Sequence, residues 1–355
     1  MNIDGTLDEA YERLHRTGPE FEGWLSNHGP MAVESMVRRG HARQVHRWLD
    51  LYLRRLDDRP RGTSPLTADG WRTALGDPRR LGDWLEFFER EVVEQPWRAV
   101  LETWWPRLLP GIAAGATHGV IRTGHAVHTL LDHEDAPRLT ELGQALGYWA
   151  ARWQPVPFTA SSAPSSGTAD PASALDGVPR VPDQSAGINH RLDQLTDLTS
   201  WPTALAALQP AADAEQARQL LADLTAAAGV RYLPNAHGNP VMLVHAVTAP
   251  MAVLRTLPAL PGTQWVMSLH AAWAASAAVT AAYTPAAPAP RDSLPAAPES
   301  VDSAESADEV FALAVRHQDE HVIKLADTCV DVHRRTGHPD ALAAVIRAAE
   351  LIDEL

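Results

Sequence analysis

Apolar side chains recur at intervals of three and four residues along most of this 355-residue chain. That spacing matches one face of an α-helix, whereas a half-buried strand requires strict alternation of apolar and polar residues. Runs of alternating Val, Ile, Thr and aromatic residues bounded by Asn-Gly-type turns are missing from the sequence. The sequence therefore predicts an all-α fold, arranged as a large multi-helix domain or bundle.

Proline and glycine positions place the boundaries of the predicted helices. Pro30, Pro78 and Pro96 stand where a first helical turn accepts proline, and Gly40 and Gly76 are typical of breaks between helices. The predicted helices cover residues 6–16, 30–57, 67–75, 78–94, 96–109, 111–133, 137–153, 189–228, 240–256, 263–283, 305–336 and 339–354.

Two segments, about 155–187 and 284–303, are rich in proline, alanine and serine. Such a composition buries too little apolar surface to offset the entropy lost on ordering. We therefore expect two long flexible loops that divide three helical blocks. No repeat of fixed period is evident, so we expect one helical domain over residues 1–355, with separate domains as the alternative.

Charge and cysteine content exclude several classes of function. The chain carries 30 basic and 44 acidic residues, a formal net charge of −14, which argues against nucleic acid or an anionic membrane as the main partner. The single cysteine, Cys329, excludes a disulfide framework and Cys-rich metal sites and suits a reducing cytosol. The first residues lack the apolar region of a signal peptide. We expect a cytoplasmic protein that binds an aromatic small molecule, with neither nucleic acid nor a membrane as partner.

Only one of the 30 basic residues is a lysine, Lys324. A lysine can lose its proton when it is buried and then act as a nucleophile, whereas a guanidinium stays charged. A Schiff base is one outcome, but the chain has no Gly-rich phosphate cradle and no α/β pattern. Reaction with carbon dioxide is another, and it would turn the amine into an anionic carbamate. The plain alternatives are that Lys324 reaches solvent or pairs with a carboxylate.

Several of the 16 histidines stand in sequence contexts that favour a buried position. His28 lies on a Gly-Pro turn just before a predicted helix, where it is a ligand or a helix cap. His245 lies in a segment that is apolar on nearly every side, so its imidazole needs a partner. The remaining candidates follow the i, i+4, i+7 rule on two predicted helices: His118, Arg122 and His125, and His317, His321 and Lys324.

Ordinary explanations compete with a ligand role at these positions. His118 and His125 are equally well explained as core histidines bonded to backbone, and Arg122 as half of an ion pair with a neighbouring helix. If the group around Lys324 does combine several imidazoles with a carbamate, the donor set suits iron better than zinc or nickel.

Five segments together resemble the questin oxidase-like family, over nearly the whole chain apart from the two Pro-rich loops. They are LHRTGPEF at 14–21, NHGPMA at 27–32, HGVIR at 118–122, HAVT at 245–248 and HVIK at 321–324. The resemblance implies an all-helical enzyme of secondary metabolism that oxidatively opens a ring of an anthraquinone or a related aromatic polyketide. Relatives are described as Baeyer–Villiger-type oxidases, which use dioxygen as co-substrate.

The resemblance also implies a mononuclear non-haem iron, Fe(II), held by four histidines and a carboxylated lysine. Carried over by motif, the ligands are His28, His118, His245, His321 and Lys324, the last as a carbamate formed with carbon dioxide.

Arg122 and His125 are the predicted catalytic residues. Arg122 would steady developing oxyanion charge on the substrate, and His125 would support the site from beside the ligands. Because each shares a helix face with a predicted ligand, His125 and His317 are kept as replacements for His118 and His321.

Two other functions remain open at the level of sequence. A metal-free binding or accessory protein of a polyketide pathway would use some of the 12 tryptophans for stacking. A helical metal-dependent hydrolase of the His-Asp type would normally show an adjacent His-Asp pair, and the chain contains no such dipeptide.

Overall fold

The computed structural model of the chain describes residues 3–67, 69–157, 167–298 and 303–355. Across these residues it contains 17 α-helices and one two-stranded sheet. The prediction of an all-α fold is therefore confirmed. The chain divides into two compact units, each described separately below. The expectation of a single domain over residues 1–355 stays a prediction.

Unit 1 comprises Met1–Pro155 and Arg255–Gln264. Its helices and strands are α1 (Ile3–Leu14), β1 (Glu20–Phe21), β2 (Leu25–Ser26), α2 (Gly29–Arg38), α3 (Ala42–Tyr52), α4 (Trp71–Ala74), α5 (Leu81–Glu94), α6 (Trp97–Leu108), α7 (His118–Asp132) and α8 (Ala136–Ala151). Short 3-10 turns lie at Leu53–Arg55, Pro78–Arg80, Leu109–Gly111, Leu257–Ala259 and Gly262–Gln264.

Helix α8 is the centre of unit 1, because it packs along both α5 and α7. Gly143 and Gly147 permit this approach, since a Cβ at Gly147 would lie 3.0 Å from the carbonyl oxygen of Trp84 on α5. Trp84 also stacks on Phe88 and meets Trp104 of α6 edge-on. Edge-to-face and stacked aromatic pairs of this kind add to the stabilisation that comes from burial.

Unit 2 comprises Val156–Leu254 and Trp265–Leu355. Its helices are α9 (Pro171–Asp176), α10 (Ile188–Asp193), α11 (Trp201–Ala206), α12 (Ala214–Asn235), α13 (Pro240–Thr256, whose last residues belong to unit 1), α14 (Trp265–Tyr283), α15 (Ser303–His317), α16 (Glu320–Thr336) and α17 (Pro339–Leu351). Helix α12 packs against α14 and α17, and α16 packs against α15 and α17.

Five predicted helices are wrong in their extent. Those at 67–75 and 111–133 begin later, at Trp71 and His118, and three others are interrupted because the chain changes direction inside them. Residues 30–57 form α2 and α3, separated at Gly40, whose φ of +83° is left-handed, as the predicted break there requires. Residues 305–336 divide at Gln318, which has a φ of +70°. Asp319 then caps α16, since its Oδ1 accepts the backbone N–H of His321 at 2.8 Å. The third, 189–228, is divided among α10, α11 and α12.

The first predicted loop contains helix α9, which composition alone does not indicate. Asp170 starts this helix by accepting the backbone N–H of Ser173 at 2.9 Å, and Pro171 occupies its first turn. Residues 158–166 of that loop and 299–302 of the second loop lie outside the described residues.

One stretch of 20 residues, Pro240–Ala259, is long and apolar enough to cross a membrane by length and composition alone, with a mean hydropathy of 1.4. In the structure 78% of its apolar window is buried in protein. The core helix of a globular protein has the same properties. The expectation that the chain has no membrane partner stays a prediction.

Candidate metal centre

His28 and His118 form a buried pair in unit 1. His28 directly precedes α2 and His118 is the first residue of α7. Their Nε2 atoms lie 2.6 Å apart, and the two rings are nearly perpendicular at 85°. Two neutral rings in this arrangement require either one shared proton or one ion bound between them.

A backbone contact fixes the orientation of the His118 ring. Its Nδ1 is hydrogen-bonded to the carbonyl oxygen of Gly115. Because a carbonyl only accepts, the neutral ring carries its proton on Nδ1 and directs the lone pair of Nε2 toward His28. This arrangement, in which an oxygen holds one ring nitrogen and the other nitrogen can coordinate, is typical of histidine ligands.

The turn before His118 is strained. Gly115, Ala116 and Thr117 have φ angles of +52°, +57° and +72°. The left-handed region costs an L-residue about 1–2 kcal/mol, and a β-branched residue is rarely found there. On the other side of His118, a Cβ at Gly119 would lie 2.7 Å from Cγ of Trp149. The chain therefore accepts strain and close helix packing to begin α7 at this histidine.

His28 is held by the residues on either side of it. The Asn27 side chain donates to the Gly18 carbonyl at 3.1 Å and accepts the Gly29 backbone N–H at 2.8 Å. The backbone N–H of His28 itself donates to the Tyr52 hydroxyl at 2.7 Å. The motif Asn27-His28-Gly29 thus presents the imidazole from a turn that is fixed by three hydrogen bonds.

His245 and His321 form a second buried pair, in unit 2. His245 lies in the middle of α13 and His321 in the first turn of α16. Their ring centroids are 5.8 Å apart at 78°, and one nitrogen of each ring lies within 4.8 Å of the other. Oδ1 of Asp319 lies 3.4 Å from Nδ1 of His321. Burial raises the pKa of Asp319, but the His321 ring and two backbone N–H groups hold it below its usual value.

Lys324 lies one helical turn beyond His321 on α16 and is 0% exposed. Among the described residues its Nζ has no hydrogen-bond partner. Burial lowers the pKa of this amine to about 7, although the charges of Glu320 and Asp319 act in the opposite direction. The two simpler explanations of Lys324, that its amine reaches solvent or that it pairs with a carboxylate, are therefore both wrong for the described residues.

Arg122 lies in a buried ion pair with a neighbouring helix, which is the predicted alternative to a catalytic role. Its Nε and Nη2 donate to the two carboxylate oxygens of Glu141 on α8, at 2.6 and 2.8 Å. His15 contacts the same carboxylate at 2.8 Å. Burial raises the pKa of Glu141, but the charge of Arg122 and the hydrogen bonds hold it below its usual value. The Nη1 atom of Arg122 has no partner among the described residues. Its catalytic role stays a prediction.

His125 contacts a carboxylate that the sequence motifs do not include. Its Nδ1 lies 2.7 Å from Oε2 of Glu34, and Nδ1 of His128 lies 3.0 Å from Oε1. Burial opposes ionisation of Glu34, yet these hydrogen bonds hold its pKa well below the usual range. The sequence feature that could have identified Glu34 is its position as an acidic residue inside the apolar run MAVESMV of α2. Glu141 gave a weaker signal, within the buried face of α8.

The expectation that His317 shares a face with His321 and Lys324 is wrong. Because the helix breaks at Gln318, His317 ends α15 and does not continue along α16. Its Nε2 is instead hydrogen-bonded to the carbonyl oxygen of Ile352 at 3.0 Å. The four histidines predicted as ligands lie in the two buried pairs, and both pairs have the donor chemistry to hold a metal ion.

Comparison with known proteins gives one result. Residues 32–329 match the family described as questin oxidase-like. The matched span includes His118, His245, His321 and Lys324, whereas His28 precedes it. No curated protein matches the chain with statistical significance.

Proposed function

We propose, because the chain belongs to the questin oxidase-like family, that it is a non-haem iron oxygenase acting on an anthraquinone or a related aromatic polyketide. Membership indicates an oxidoreductase of polyketide metabolism with an aromatic small molecule as substrate. The proposed reaction is oxidative ring opening or a Baeyer–Villiger-type oxidation. The observation that carries the proposal is Lys324, the only lysine, buried beside His321 with an amine that has no hydrogen-bond partner among the described residues.

We propose that His28, His118, His245, His321 and Lys324 bind a single Fe(II). Support comes from each pair taken by itself, since closely spaced buried imidazoles are suited to iron. The His118 tautomer is set for coordination through Nε2 by its bond to Gly115. When bound, the iron would supply the activation of dioxygen that the reaction requires.

Lys324 would join the ligands as a carbamate. With a pKa of about 7, about half of the amine is neutral at neutral pH, and only the neutral amine attacks carbon dioxide. The nitrogen lone pair forms the N–C bond as one C=O π bond of carbon dioxide opens, and the proton from nitrogen is released to the medium. The product is an anionic oxygen donor, which burial disfavours unless a cation holds it, so the carbamate and the metal would bind together.

The side chains of unit 1 would manage protons and charge. Because Glu34 is ionised, it holds the His125 proton on Nδ1 and makes Nε2 the basic nitrogen, which can accept a proton from a substrate hydroxyl. Arg122 is neutralised by Glu141, and its Nη1 is the group that remains to stabilise negative charge on the substrate.

Metal analysis of protein purified without chelator, in bicarbonate buffer and with Fe(II), tests the ligand set. We expect about one iron per chain, lost in both His28→Ala and His245→Ala and retained in His270→Gln, a half-buried histidine outside both pairs. If each Ala variant keeps about half of the metal, the pairs are two separate sites and the single-ion proposal fails. Protein without metal would instead favour an accessory binding protein.

Lys324→Arg tests the carbamate separately from the histidines. The variant keeps a cationic side chain but cannot form a stable carbamate, so we expect metal loading to be lost while helicity is unchanged. Labelled carbon dioxide should give a carbamate carbon resonance in the wild type alone. Normal iron content in the variant would remove the lysine from the site.

Oxygen uptake tests the reaction itself. We expect the iron-loaded protein to consume dioxygen with a hydroxyanthraquinone and not with unsubstituted anthraquinone, which has no hydroxyl proton to give up. Uptake that is equal with both compounds, or absent with an iron-loaded protein, would contradict the proposed oxidation of the hydroxylated ring.

A further inference from the structure

Unit 2 contains a cleft of about 710 Å³ that lies among residues with no part in the ligand set. Four parts of the chain build it: helix α9 with the residues after it, the second half of α12, the Pro-rich chain that follows α14, and the start of α17. Its lining includes Arg180, Arg231, Arg291, Thr284, Ala286 and Leu294. The volume falls in the range of small-molecule binding sites.

The Pro-rich wall of the cleft is fixed to the helices around it. The backbone N–H of Ala289 donates to the Pro234 carbonyl at the end of α12, at 2.8 Å. The carbonyl of Thr284 accepts from Arg180 at 2.9 Å and from Gln184 at 3.2 Å. Arg291 then bonds Asp340 at 2.7 Å. A segment that composition predicts to be a flexible loop is thus held by hydrogen bonds at Thr284, Ala289 and Arg291 and forms a defined wall.

Arginines outnumber carboxylates in the lining of this cleft. Three arginines line it, against two aspartates, Asp176 and Asp340. Arg231 pairs with Asp176 and Arg291 with Asp340, which leaves Arg180 without a carboxylate partner among the residues that line the cleft. In a chain whose formal net charge is −14, a concave surface with one excess guanidinium attracts small anions.

The guanidinium of Arg180 lies beside apolar surface in the cleft. Its Nε donates to the Thr284 carbonyl at 2.9 Å and its Nη2 donates to Oε1 of Gln184 at 3.3 Å. These two contacts orient the guanidinium but leave its charge without a carboxylate among the residues that line the cleft. Ala286, Leu294 and neighbouring prolines supply the apolar part of the lining. A ligand that satisfies both features has an anionic group and a flat apolar body.

We propose that this cleft binds a small organic monoanion, an aromatic carboxylate, whose charge is met by Arg180 and whose ring packs against the Pro-rich wall. Guanidinium groups favour carboxylates because two N–H donors match the two oxygens. The proposal uses none of the predicted metal ligands, so it stands or falls independently of the iron site.

Calorimetric titration of the full-length protein with 2-naphthoate tests this binding site, with uncharged 2-naphthalenemethanol as the comparison ligand. We expect saturable binding of the carboxylate below about 1 mM, weakened by added salt. The alcohol should bind at least about tenfold more weakly, because it lacks the charge-assisted hydrogen bonds. Equal binding of the two ligands, or no binding of the carboxylate, overturns the proposal.

Variants locate the bound ligand. Arg180→Gln should weaken naphthoate binding about tenfold, and Ala286→Trp should abolish it by filling the cleft. Arg218→Gln is the matched control, because Arg218 also has an exposed side chain and pairs with Glu215 outside the lining. His245→Ala distinguishes the cleft from the metal centre. If the two cleft variants bind normally, or if only His245→Ala loses binding, the carboxylate occupies another place and the proposal is wrong.

Discussion

Replacing Glu141 by glutamine should destabilise the protein far more than an ordinary charge substitution. The Glu141 side chain is 1% exposed, and it neutralises the guanidinium of Arg122, whose side chain is 4% exposed. Loss of one member of such a pair leaves an uncompensated buried charge, which costs about 3–5 kcal/mol in unfolding free energy. The contact from His15 to the same carboxylate would be weakened as well.

The pH dependence of unfolding provides a second readout of the same variant. The pKa of Glu141 is lower in the folded protein than in the unfolded chain. The unfolded state therefore binds the extra proton first as pH falls, and the stabilisation is present above the unfolded pKa and lost as pH falls through the folded pKa. Glu141→Gln should lack this contribution, so its stability should fall less steeply in acid than that of the wild type.

Urea unfolding followed by circular dichroism, repeated across the acidic range, measures both effects. Glu215→Gln is the control, because Glu215 pairs with Arg218 on an exposed surface, where an ion pair contributes about 0–1 kcal/mol. The double variant Arg122→Met, Glu141→Leu should recover most of the loss, since a well-packed apolar pair replaces the charges. If Glu141→Gln costs no more than Glu215→Gln, the reasoning about an uncompensated buried arginine is refuted.

Lys324 and two helix glycines allow further tests of the packing. In metal-free protein the amine of Lys324 is buried without a hydrogen-bond partner among the described residues. Lys324→Met removes that amine and should therefore raise the unfolding free energy by about 1–3 kcal/mol at neutral pH. The pKa of the Lys324 amine is about 7 in the folded protein and 10.5 in the unfolded chain. The unfolding free energy of the wild type should therefore increase as pH rises from about 7 to 10.5, whereas that of Lys324→Met should not. Urea unfolding that shows the same pH dependence for both proteins would contradict this. Gly119→Ala should cost about 1–3 kcal/mol through its contact with Trp149. A Cβ at Gly229 would lie 3.6 Å from its nearest neighbour, so Gly229→Ala should stabilise the protein by up to about 1 kcal/mol. If thermal unfolding shows that both glycine variants shift the melting temperature in the same direction, close packing does not determine whether the substitution stabilises or destabilises.

Much of the helical fold could be predicted from apolar spacing, because a partly exposed helix such as α3 buries one face whose period is visible in the sequence. The breaks between consecutive helices were harder to predict. Gln318 adopts a left-handed conformation that is uncommon for glutamine, so its residue type did not indicate that His317 and His321 belong to different helices. The one local signal was Asp319, a residue type that favours the start of a helix and that caps α16.

Some residues of the candidate site could likewise be predicted from the sequence, and others could not. His28 and Lys324 could be singled out because their surroundings are unusual, a Gly-Pro turn in one case and an otherwise lysine-free chain in the other. The partners of Arg122 and His125 could not, because Glu141 and Glu34 reach them from other helices. Spacing within one helix carries no information about which residue a neighbouring helix presents.

Burial of the one side-chain amine has a practical consequence for chemical modification. Reagents such as succinimidyl esters, which acylate neutral amines, find no accessible lysine on the folded surface, since Lys324 is 0% exposed. Any acylation of that residue must then wait for a local opening of α16. The rate of its mass increase therefore reports how often this helix opens.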